Sequence, residues 1–252
     1  MSARPLVLAL LAAGLTVPLL AAPADDRFRE ANDLVRAGDY PKAVAAYGAL
    51  AASGQESASL YWNWAQAATA RGSSGEALWA LLRARELDPG DRAVVRDVER
   101  LREALNLDPA EIAPEPLSAA ARFSRRFRLD LVGAALVALS VLAHGLGRLR
   151  PGPRWPFSLA GAALVLGLLA VAVPLVGSFA RPTGVVVRRG APLVDAASPS
   201  AEAIGTLREG EVVPVLEASG EWLRVEDNAG ARGWAHAADV RRLDTPPAPP
   251  RD

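Results

Sequence analysis

The stretch from Leu131 to Ala180 constrains this chain more than any other. Leu131 to Ala143 carries no charge. A short loop with Arg148, Arg150 and Arg154 follows, and no acid or base interrupts the run from Trp155 to Ala180. A bilayer core about 30 Å thick is crossed by about 20 mostly apolar residues in a helix. Backbone polar groups find no water partner in lipid, so apolar runs of this length are expected as helices. The expectation is a transmembrane helical hairpin, with spans over 129–149 and 155–180 and both flanks on one side. The alternative is a buried helix pair. His144, near the end of the first run, reads as a polar residue at an interface or as a proton carrier.

The amino terminus sets the expected side. Met1 to Pro5 carries one positive charge, Leu6 to Leu20 is apolar, and Ala22-Pro23-Ala24 has small residues at a cleavage-like spacing. These are the parts of a secretory signal peptide over 1–24. Export, one inward crossing and one return place both flanks outside the cytoplasm. Arginines of the hairpin loop fit a cytoplasmic loop, but Arg122, Arg125, Arg126 and Arg128 before it and Arg181, Arg188 and Arg189 after it do not separate the sides. The localisation expected is a bacterial inner membrane with both soluble domains periplasmic, and membrane lipid as one partner.

Composition narrows the chemistry. The 252 residues carry 28 basic and 28 acidic side chains, so no net field steers the chain toward nucleic acid. Without cysteine there is no disulfide, thiol nucleophile or cysteine-based metal site. The two histidines, His144 and His236, lie in different segments, which leaves little for a metal centre or a Ser-His-Asp triad. No enzyme, metal or cofactor is expected.

Residues 25–108 repeat. Gly38 recurs as Gly72, Ala43 as Ala77, and Asn32 is matched by Gln66. Small residues fall where two helices cross, and Tyr47, Leu50, Leu78, Leu81 and Ala84 form apolar stripes at helical spacing. Gly38-Asp39-Tyr40 and Arg71-Gly72-Ser73-Ser74 read as turns, and Pro89 stops the second unit. Arg92 to Leu105 turns polar on its outer face, as a capping helix should.

The period of 34 residues resembles that of the tetratricopeptide family. Tyr61, Trp64, Ala65, Ala68, Gly72, Ala77, Leu81, Ala84 and Pro89 match its second-repeat signature, and Ala31, Leu34, Gly38, Tyr40, Ala43 and Tyr47 a weaker first repeat. The resemblance implies a peptide groove on the first helices of the repeats. Its positions here are Phe28, Asn32, Trp62, Asn63 and Gln66. Asparagines there can clamp an extended backbone, and Phe28 and Trp62 offer stacking area. Trp62 alternatively fills space between helices, which is the expected role of Trp64.

Residues 109–128 hold Pro109, Pro114 and Pro116, then arginines interleaved with Phe123 and Phe127, and read as a linker and a basic juxtamembrane segment. From 183 to 243 the period becomes two. Val185 and Val187, Val213 and Val215, and Leu223 and Val225 alternate in short runs between the turns Arg189-Gly190, Glu209-Gly210, Ser219-Gly220 and Asp227-Asn228-Ala229-Gly230. Short strands with such turns predict a small all-β barrel. Val187-Arg188 with Gly190, Val213-Pro214-Val215-Leu216, Gly220-Glu221-Trp222-Leu223-Arg224-Val225 and Gly233-Trp234 resemble the bacterial SH3 family. That resemblance implies binding of cell-wall peptides or protein ligands. Trp222 and Trp234 either form an aromatic binding face or pack the barrel. The proline-rich tail, 244–252, is expected to be disordered.

The fold class expected is thus multidomain: an α-helical repeat solenoid of two repeats and a cap, a transmembrane helical hairpin, and a small SH3-like barrel. This order resembles the BatE-type proteins of bacterial aerotolerance operons, although Ala65-Gln66 stands where those more often have glycine and asparagine. The resemblance implies a non-enzymatic scaffold in an envelope-stress or aerotolerance complex, with von Willebrand A-domain membrane proteins and a MoxR-type ATPase as partners. The alternative is a peptidoglycan-binding module in which the repeats are spacers.

Overall fold

The structure, a computed structural model, describes residues 22–112, 120, 123–124, 127–149, 155–177 and 181–246. The greater part of the signal-peptide reading, Arg150 and Arg154 of the hairpin loop, and the end of the tail lie outside the described residues. Helix α1 (Ala22–Arg36) begins within the segment read as a cleavage site.

Four helices follow α1: α2 (Tyr40–Ala52), α3 (Ala58–Ala70), α4 (Ser74–Leu87) and α5 (Arg92–Ala104). Tight turns lead from α1 into α2 and from α3 into α4. Gly38 and Gly72 adopt φ of +75° and +81°, a region that a side chain disfavours and glycine does not. Asp39, Ser57 and Asp91 then accept hydrogen bonds from the otherwise unpaired first N–H groups of α2, α3 and α5. Each helix packs on the next, and α1 also touches α3. The first helices therefore share one face. The small residues do what their spacing predicts: Ala43 and Ala77 are fully buried at the crossings.

Helix α4 is the centre of the body. Every residue from Gly75 to Ala84 is buried, Glu76 and Arg83 included. No amphipathic surface helix looks like this, because one face should meet water. The reason is that α4 is covered twice, by its helical neighbours and by the β domain.

That domain is a seven-stranded antiparallel sheet in the order β3-β2-β6-β5-β4-β1-β7. Its strands are β1 (Thr183–Val186), β2 (Ala191–Val194), β3 (Ala203–Leu207), β4 (Val212–Ser219), β5 (Trp222–Glu226), β6 (Arg232–His236) and β7 (Val240–Arg242). Alternation places Leu223, Val225 and Ala235 in its core with Val186, Leu193, Leu207, Val213 and Val215. Strand β1 breaks the alternation expected of a one-sided sheet. Val186 faces the barrel core, whereas Val185 joins the core of the helices, together with Leu243. Helices and barrel thus share a core through β1.

Between α5 and β1 run α6 (Leu129–Leu149) and α7 (Trp155–Gly177). They pair at two glycines: a Cβ on Gly133 would lie 2.7 Å from the Gly167 carbonyl oxygen, and one on Gly167 would lie 2.9 Å from that of Gly133. Ser140 Oγ donates to the Ala160 carbonyl across the pair at 2.6 Å. The expectation of two membrane spans is corrected here. Among the described residues no helix is long and apolar enough to cross a membrane. Crossing takes about 20 mostly apolar residues. Helix α6 carries Asp130 in its first turn and has Ser140 and His144 in its second half. The transmembrane hairpin and the two-span inner-membrane localisation with periplasmic flanks are both overturned by this finding.

Candidate functional site

The residues expected to line a groove lie on α1 and α3, which touch. Asn32, on α1, accepts at Oδ1 from the Tyr47 hydroxyl at 2.6 Å and from Asn63 Nδ2 at 3.0 Å. Phe28, one turn earlier, packs tilted on the Tyr47 ring with centroids 6.1 Å apart. On α3, the Trp62 indole N–H donates to Asp97 Oδ2 at 2.8 Å and Gln66 Nε2 donates to the same oxygen at 3.2 Å. Arg100 closes the set, 3.1 Å from Asp97 Oδ1. Four of the five residues singled out in the sequence, Asn32, Asn63, Trp62 and Gln66, therefore lie in two short hydrogen-bonded sets, and Phe28 packs beside the first of them. Trp62 is half-buried with its indole N–H fixed. Trp64 is instead core, stacked on Tyr61 and edge-on to Trp79.

Asp97 was missed by sequence reasoning, although it follows Asn63 by one repeat period on α5. Tyr47 was assigned to the apolar stripe, and its hydroxyl was overlooked. Burial raises the Tyr47 pKa to about 12, against a smaller opposing effect of Arg36. The hydroxyl therefore keeps its proton at neutral pH and donates to Asn32.

The second candidate face is on the barrel. Leu223, Val225, Gly233 and Ala235 point inward, so Trp222, Arg224, Trp234 and His236 occupy the outer side of β5 and β6. Trp222 pairs with His236 and Arg224 with Trp234, which makes the two tryptophans diagonal neighbours. The His236 ring lies edge-on to Trp222 at 5.4 Å, and its Nε2 is 3.5 Å from Glu221. Both tryptophans are half-buried, and neither belongs to the barrel core.

A third cluster joins the two domains. Arg241, on β7, places its guanidinium 5.1 Å from the Trp79 ring and 5.5 Å from the Trp64 ring, and reaches Glu76 Oε1 at 2.6 Å. Glu76 also binds Arg71 and the Trp64 indole N–H. The Trp79 indole N–H donates to the Arg242 carbonyl at 2.9 Å, and Arg83 donates to that of Leu243. Among the described residues no cluster of three His, Asp or Glu is placed to hold a metal ion.

Comparison with known proteins bears on the barrel. Residues 189–241 match the family of the bacterial SH3 domain, in agreement with the reading of this segment from its Gly-Trp and Gly-Glu-Trp motifs. This part of the chain is thus similar to an interaction module. No curated protein and no solved structure matches the chain.

Proposed function

We propose that the protein is a non-enzymatic interaction scaffold whose repeat groove holds a segment of a protein partner and whose SH3 domain is a second binding module. The observation that carries this reading is the open strip of Asn32, Asn63, Trp62 and Gln66, aligned along α1 and α3 while α4 is covered by the barrel. Amide and indole groups on a helix face recognise peptide without performing chemistry on it. The repeat period and the succession of packed helices support a tetratricopeptide assignment. The resemblance of the whole order of segments to BatE-type proteins makes von Willebrand A-domain proteins and a MoxR-type ATPase the first partners to test. Replacing Asn32, Trp62 and Gln66 together by alanine should abolish partner co-purification and leave the helical circular dichroism intact. A triple variant that co-purifies everything the parent does would remove the groove from the model.

The Trp222 face favours a second reading, a cell-wall ligand held by the barrel. The full chain should then sediment with isolated peptidoglycan, and Trp222→Ala should reduce the sedimented fraction without changing stability. No sedimentation of the parent at any salt concentration rejects this reading.

A further inference from the structure

We infer that the outer face of β5 and β6 is a platform for an uncharged glycan chain, with one sugar ring on Trp222 and another on Trp234. This rests on the cell-wall reading of the barrel, and differs from the peptide ligands that the family resemblance implies. The first observation concerns the indole N–H groups. Trp62, Trp64 and Trp79 of the helical domain each donate theirs to a protein acceptor. Among the described residues Trp222 and Trp234 have no such partner, and neither nitrogen belongs to the buried unpaired atoms. Both N–H groups are thus open to a ligand. A half-buried tryptophan ordinarily pairs its N–H, so two left open on one face mark a surface that meets a polar molecule.

The second observation is charge. Each ionisable side chain of β4, β5 and β6 lies beside a counterpart. Arg224 is 3.7 Å from Glu217, Arg232 is 2.7 Å from Glu226, and His236 Nε2 is 3.5 Å from Glu221. His236 is fixed on its other side, where Nδ1 accepts from the Ala238 N–H at 3.1 Å. A backbone N–H can only donate, so the ring carries its proton on Nε2, beside Glu221. In that position the ring supports Trp222 edge-on, with centroids 5.4 Å apart.

No arginine of this face is left without a counter-charge to draw a phosphate or a carboxylate, which argues against nucleic acid and acidic peptides. An extended peptide would bring N–H groups to carboxylates that are already engaged. A sugar chain has neither difficulty. Its hydroxyls rotate to accept from the indole N–H groups, and its ring C–H groups lie on the indole planes. The tryptophans are diagonal neighbours across the β5–β6 pair, about 7–8 Å apart in such a ladder, so one chain covers both.

The test uses the full chain and three soluble probes: the β-1,4-linked tetramer of N-acetylglucosamine, a peptidoglycan stem peptide freed of its sugars, and a proline decapeptide. The tetramer should bind and shift two of the six tryptophan indole N–H resonances, those lost in Trp222→Phe and Trp234→Phe. Raising salt to about 0.5 M should change its affinity by less than about twofold, since no unpaired charge takes part. Trp222→Ala should weaken it about tenfold, the effect of one lost stacking surface. Trp222→Phe keeps a ring for packing but not the donor, and should weaken it several-fold, which separates lost binding from a folding defect in the alanine variant. Parental affinity in Trp222→Ala overturns the proposal. Binding of the stem peptide without the tetramer also overturns it, and leaves the cell-wall reading standing. Binding of the proline decapeptide alone, or a parent that neither sediments with peptidoglycan nor binds any probe, overturns both.

Discussion

Arg241→Ala tests whether helices and barrel form one cooperative body. The guanidinium lies between Trp64 and Trp79 and bonds Glu76, whose side chain is 5% exposed. Removing one partner of a buried ion pair costs about 3–5 kcal/mol, because the other charge stays behind. Two features reduce that figure: Arg241 is 32% exposed, and Arg71 continues to neutralise Glu76. The lost cation–π contacts add about 0.5–1 kcal/mol each. The expected loss is about 2–4 kcal/mol. Urea unfolding followed by tryptophan fluorescence reads it directly, since both rings lie at the junction. The transition should stay single, and with a slope of about 1–3 kcal/mol per molar urea its midpoint should fall by about 0.7–4 M. The double variant Glu76→Leu with Arg241→Met removes both charges and should recover much of the loss. A single variant within 0.5 kcal/mol of the parent, or two separate transitions in the parent, would refute the reasoning.

Gly75→Ala should destabilise by about 1–3 kcal/mol, although alanine ordinarily strengthens a helix, because its Cβ would lie 2.9 Å from Val187 Cα in the barrel; an unchanged or raised melting temperature contradicts the close approach. Folded-state stability should decline between pH 10 and 12. Burial raises Tyr47 from 10.0 to about 12 and raises Tyr61 as well, with its hydrogen bond to Glu56 adding to the effect, so the unfolded chain ionises first. Below pH 10 that contribution is complete, and Tyr47→Phe should flatten the decline; an equally steep profile in the variant contradicts it. Replacing residues 113–180 by a flexible linker of about 20 residues, which spans about 25 Å, should leave one cooperative transition, since Arg208 already bridges the two sides to Glu111 at 3.2 Å; two transitions would show that the hairpin holds the domains together.

Local patterns in the sequence carried the turns, the repeat register and the barrel strands, because each depends on neighbours within a few residues. Gly38 and Gly72 at positive φ, the caps at Asp39 and Asp91, and the inward Leu223 and Val225 are of this kind. The period of 34 residues also puts Asn32 and Gln66 at matching places on α1 and α3, where Asn63 reaches Asn32. What could not be read was contact at long range. Nothing local to Glu76 announces Arg241, 165 positions away, and nothing local to Val185 says that it faces a different core from Val186. Hydropathy alone led to the membrane expectation for 129–180. Counting apolar residues does not separate a helix that crosses a bilayer from one that pairs with its neighbour through Gly133, Gly167 and Ser140.

The shared core has a consequence for binding by the two candidate faces. Two modules on a flexible linker meet a bivalent partner with an effective concentration set by linker length, and the second contact must order that linker. Here β1 is buried against α4 and Arg241 is held in the helical domain, so the groove strip and the Trp222 face keep a fixed separation. A partner whose two epitopes match that separation gains the second contact without ordering cost. One whose epitopes do not match gains nothing and binds as a monovalent ligand. Weakening the junction through Arg241→Ala should therefore reduce discrimination between such partners even where each isolated contact is unchanged.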